Sequence, residues 1–133
     1  MTMTDTRFVS PRAVSAHYFR PVDFKDAFAV ALKPREQLPA IEDGKGEMLC
    51  SALVFASEAD LDAGRPTTVL PDTIVNVGLI FRQLVRTLPG DGVLAGYVGQ
   101  GDETSYGTRP WLIAEHDAAV QARVYAAWNK ATE

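Results

Sequence analysis

Apolar positions between residues 71 and 90 recur at spacings of three and four: Ile74, Val77, Phe81, Leu84 and Leu88, with Ile80 and Val85 widening the stripe. The spacing predicts one amphipathic helix over 72–88. Asp72 offers a short carboxylate to the unpaired N–H groups of its first turn, and Pro89-Gly90 marks its stop. So broad a stripe must be buried, and the chain is expected to fold around it.

The remaining pattern is shorter in period. Phe8, Val14, His17, Tyr18 and Phe19 alternate in part and suggest one or two short strands interrupted by Pro11. Between Asp26 and Lys33, large Phe28, Val30 and Leu32 alternate with small Ala27, Ala29 and Ala31, as in a strand packed on both faces. A helix capped by Asp23, with a stripe of Phe24, Ala27, Phe28 and Ala31, is the competing reading. Val and Phe tilt the balance to the strand. Residues 34–47, with Pro34, Pro39, Gly44 and Gly46 among charges, read as a surface loop. Residues 48–56 read as a buried strand, Leu49, Leu53 and Phe55 on one side and Met48, Cys50, Ala52 and Val54 on the other.

Ser57-Glu-Ala-Asp60 has capping-box spacing and predicts one helical turn over 58–63, closed by Gly64. Thr67–Leu70 suits a short strand. Asp91-Gly92 turns the chain into a strand over Val93–Val98. A polar loop, Gly99–Thr108, follows. Trp111–Ile113 is one more strand or the entry to the last helix. An Ala-rich helix over 115–130 places His116, Val120, Val124, Ala127 and Trp128 on one side.

These elements describe a single α+β domain over 7–133, behind a frayed segment at 1–6. It is mainly an antiparallel sheet of about four to six strands, with the 72–88 and 115–130 helices laid on one face. A parallel α/β fold would need a regular strand–helix alternation that the first 60 residues lack. A chain of 133 residues with 47% apolar and 23% charged residues supports one core of ordinary size.

Charge narrows the partners. The net charge is −4 and no run of Lys and Arg interleaves with aromatics, so nucleic acid is not expected. No stretch approaches 18 uninterrupted apolar residues and the N-terminus lacks signal-peptide regions, so a cytoplasmic chain without a membrane span is the expectation. Cys50 is the only cysteine; neither an internal disulfide nor a Cys-x-x-Cys pair can form.

Candidate chemistry is sparse. In the 99–108 loop Asp102 and Glu103 could act as acid and base, Tyr106 could donate a hydrogen bond, and Gly99 and Gly101 permit close backbone approach; a solvated turn explains the same residues. The loop lacks the third glycine and helix of a dinucleotide fingerprint and the Gly-Lys-Ser/Thr of a phosphate loop, so no cofactor is expected. His116, between Glu115 and Asp117, is a candidate general base or an exposed histidine at a helix start. Tyr18 and Arg20 share one side of a strand and could clamp a planar or anionic group; an edge strand with a half-buried Tyr is the plainer account. Cys50 among apolar neighbours reads as an inert thiol. Arg82 and Arg86, four apart, form an anion clamp or a solvated helix face. Two histidines do not build a His-rich metal site. Tyr97, Trp111, Tyr125 and Trp128 supply aromatic area for a pocket or an interface.

Three functions follow. The first is binding of a small molecule between the sheet and the 72–88 helix, through Tyr18, Arg20, Tyr97, Tyr106 and Trp111. The second is acid/base catalysis by Asp102, Glu103, Tyr106 and His116. The third is a homodimer packed through the last helix and Trp128.

Overall fold

A computed structural model describes residues 17–42, 45–88 and 92–132. The expected fraying of 1–6, the strand reading around Phe8, Pro11 and Val14, and the stop at Pro89-Gly90 lie outside the described residues. The described chain runs β1 (His17–Tyr18), a 3-10 turn (Pro21–Phe24), β2 (Ala29–Glu42), β3 (Lys45–Phe55), α1 (Glu58–Ala63), β4 (Thr68–Val75), α2 (Gly78–Thr87), β5 (Leu94–Gln100), β6 (Trp111–Ala114) and α3 (Ala118–Ala131). The strands form one sheet of six in the order β1-β4-β3-β2-β5-β6. Only the β1–β4 pair is parallel, so the α+β class stands, with a mixed sheet.

The large/small alternation holds from Ala29 to Leu32, whereas Phe28 and Ala27, which precede the strand, pack on the faces opposite to those expected. Val30 and Leu32 join Met48, Cys50, Ala52 and Val54 on one face, where Ile80 and Leu84 of α2 bury against them. Ala29, Ala31 and Ala95 lie on the other face with Leu53 and Phe55, under Val124, Ala127 and Trp128 of α3. Alanines there let α3 sit close, and its larger side chains fill the gap. The two long helices therefore pack on opposite faces of the sheet, not on one. Each fully buried Ile or Leu contributes about 1.5–3 kcal/mol of transfer free energy.

Two expected elements are redrawn. Residues 72–75 belong to β4, and the helix begins at Gly78 with Val77 at its N-cap. Asp72 caps nothing; it pairs with Arg35. Thr73-Ile74-Val75 is a β-branched run that fits a pleated surface. Ile74 turns to the opposite face, with Leu38 and Leu49. Within the expected 34–47 loop, residues 34–42 and 45–47 belong instead to β2 and β3.

Proline inside these strands has a positional explanation. β5 pairs with β2 only over Val30–Leu32, so Pro34 lies where that side of β2 is an edge and its missing N–H costs no ladder bond. Next to it the β2–β3 register shifts between Pro34 and Glu36, leaving Arg35 as an extra residue. On the other side of β3, Cys50 and Ala52 pair with Thr73 and Leu70, so Pro71 and Asp72 together oppose Ser51. Two bulges thus flank β3 at one level.

At the far edge, β6 is fitted tightly. A Cβ at Gly96 would lie 1.9 Å from the Ala114 carbonyl oxygen, so only glycine admits this approach of β5 and β6. The side-chain amide of Gln83 in α2 donates to the Ile113 carbonyl (2.9 Å) and accepts from the Ile113 N–H (3.0 Å). It pairs the edge strand as a neighbouring strand would. No helix among the described residues is long and apolar enough to cross a membrane.

Candidate functional site

The paired bulges shape one wall of a groove. Arg35 reaches across β3 and donates to the Pro71 carbonyl (3.0 Å) while forming an ion pair with Asp72. The Ser51 hydroxyl donates to the same carbonyl at 3.0 Å. Beyond this cross-tie, among the described residues α3 packs on β2 and β5 and α1 on β3, and neither helix packs extensively on β4. The result is a groove of about 830 Å³ between the sheet, the Gly64–Pro66 connection and the last turns of α3. Lys33, Ser51 and Leu53 form its floor, Val69 and Pro71 one wall, and Trp128 the other. Val69 is 57% exposed, although its strand neighbours Leu53 and Ile74 are buried.

Each groove residue is placed by a local cause. Val69 pairs with Leu53 across the β3–β4 ladder, and alternation turns both toward α3. Gly64 closes α1 in the left-handed region (φ 68°), where other residues are strained, and so turns the chain toward β4. Arg123 of α3 meets Glu58 (2.9 Å) and Asp62 of α1, fixing the two helices that border the groove. Those hydrogen bonds hold the Arg123 guanidinium above its ordinary pKa.

The residues expected to form a site are spread over the molecule. Tyr18 and Arg20 stand at the β1 edge, and Tyr97 and Trp111 on the two strands at the opposite edge, so one sheet width separates the groups. Tyr18 donates to Glu47 at 2.9 Å, whereas Arg20 sits 3.9 Å from Asp23, so the two do not share a clamp. Trp111 packs on the α2-side core.

Asp102, Glu103 and Tyr106 are exposed on the β5–β6 loop, Tyr106 at 91%. The loop is nonetheless ordered by its own bonds: Thr104 Oγ1 accepts from the N–H groups of Tyr106 (3.2 Å) and Thr108 (3.4 Å). Arg82 and Arg86 face solvent on α2.

His116 precedes α3, where Asp117 is the cap, accepting from the Val120 N–H at 3.0 Å. Its ring stacks on Phe28 (4.9 Å between centroids) and meets Tyr97 (4.8 Å), with Nε2 2.7 Å from the Phe28 carbonyl. A contact with a carbonyl oxygen requires the Nε2–H form, which makes this nitrogen a donor and not a base. No hydrogen bond among the described residues joins His116 to Asp102, Glu103 or Tyr106. Cys50 is fully buried, its Sγ 3.6 Å from the Met48 carbonyl; burial pushes the thiol up to about 12, with Arg35 pulling weakly the other way. Among the described residues no three His, Cys, Asp or Glu side chains are grouped to hold a metal.

Sequence reasoning passed over Lys33, Ser51, Val69 and Pro71 as site residues. Lys33, directly after the apolar run Phe28–Leu32, was the available signal. Comparisons with protein families, with curated proteins and with solved structures gave no match.

Proposed function

We propose that this domain binds a small molecule in the groove between the sheet and α3. Ligand pockets are mostly apolar clefts of roughly 300–1,000 Å³ with a few convergent polar groups. The groove matches in volume, at about 830 Å³, and in its lining of apolar walls beside Lys33 and Ser51. The observation that carries the reading is Val69: a large apolar side chain left 57% exposed on a wall that the protein's own helices do not roof. The site lies on the face opposite α2, because the space between α2 and the sheet is taken up by Ile80, Leu84 and their neighbours.

Binding to the native state raises the melting temperature by mass action, by about 2.7 kcal/mol of stability at a hundredfold excess over Kd. A thermal-shift screen against a metabolite set is expected to yield ligands whose shift disappears in Val69→Trp, which fills the groove from its exposed wall. The absence of any shift, or shifts that persist in the variant, overturns the reading.

A further inference from the structure

We infer that the occupant of this groove is an anionic amphiphile, an apolar body carrying a carboxylate-like head; the inference rests on the groove being a binding site. The lining contains no Asp or Glu, in a chain whose net charge is −4. Two further basic residues border the groove at Gly64. Arg65 stands between Gly64 and Pro66, which both line the groove, and the Lys130 stem lies against Gly64, 3.4 Å from where a Cβ would sit. Neither Arg65 nor Lys130 forms an ion pair among the described residues. Lys33, engaged with a group of its own, adds a third basic side chain to the floor.

Trp128 supplies an independent observation. It is 6% exposed, yet its indole N–H has no hydrogen-bond partner among the described residues. Buried indole N–H groups ordinarily find an acceptor, because an unmade bond leaves the desolvation cost standing. An anionic oxygen in the groove would give this donor an acceptor and the two neighbouring cations a counter-charge. At the end of α3 the Trp128 carbonyl is already taken, accepting from the Thr132 N–H (3.0 Å) and hydroxyl (2.8 Å), so the anion must be held by the cations against the helix C-terminus. Leu53, Val69 and Pro71 receive the apolar body.

Calorimetric titration of the whole protein with octanoate, octyl phosphate, octanol and octylammonium, and with 2-naphthoate against 2-naphthalenemethanol, tests the inference. The anions are expected to bind at least tenfold more tightly than the matched alcohols, and octylammonium more weakly than octanol. The preference is expected to shrink in 0.5 M salt and to collapse in the exposed double variant Arg65→Ser, Lys130→Ser, whose melting temperature should stay within a few degrees of the parent. Octanoate against octyl phosphate separates a carboxylate head from a phosphate head. Equal binding of alcohol and anion, or a preference that survives the double variant, overturns the charge assignment and leaves the groove reading intact. No binding by any probe overturns the amphiphile assignment, while the metabolite screen against Val69→Trp decides the groove reading separately.

Discussion

Cys50 shows what burial does to a reactive group. Its thiol sits within the α2-side core, and its pKa rises from 9.0 to about 12 because the thiolate would lose its hydration there. The folded protein is therefore expected to resist thiol-reactive dyes at pH 8 and to react stoichiometrically once unfolded in guanidinium. The same shift fixes a pH dependence. The unfolded thiol releases its proton above pH 9.0 while the folded one holds it to about 12, so this contribution to stability is full below 9.0 and fades as pH climbs toward 12. Urea midpoints measured from pH 8 upward should fall; native-state labelling at pH 8 would contradict the burial. Apolar residues on both sides of Cys50 made this inertness legible in sequence. The position of His116 was not legible, because its partners, Phe28 and Tyr97, come from distant strands.

Among the elements, α1 was the most readable, since its signals are local. Ser57 caps it by accepting from the Asp60 N–H at 3.2 Å, and Gly64 closes it at φ 68°. Ser57→Ala is expected to cost about 1 kcal/mol, and Gly64→Ala about 1–2 kcal/mol through left-handed strain. Chemical denaturation measures both, and a neutral Gly64→Ala would argue against the cap geometry. The 72–88 stretch was half readable. Its spacing of three and four ran unbroken through Ile74 and Val77, yet Ile74 is buried on the opposite side of the sheet from the helix. Periodicity could not see that boundary; the cluster of β-branched residues at 73–75 was the competing signal. The outer hairpin was missed because proline and glycine usually break strands, whereas here the sheet edge and the Arg35 bulge accommodate Pro34.

At the scale of the molecule, sequence pattern separated the two sides of β3 but not which helix covers each face, nor what lies between distant elements. The groove brings together β2, β3, β4 and the end of α3, and no stretch of chain carries more than a few of its residues. Sheet order, with β5 inserted beside β2 after a crossing through α2, is set by tertiary packing and has no local signature.

Gln83 carries a consequence for the behaviour of the protein in concentrated solution. Through its two bonds to Ile113 it acts as a stopper on a strand that would otherwise recruit extended chain from another molecule. Fibrillation is thereby tied to the seating of one helix. Gln83→Leu leaves the Ile113 amide and carbonyl open, and thioflavin fluorescence under gentle agitation should rise sooner than for the parent at equal concentration. Unchanged lag times would mean that the stopper guards nothing.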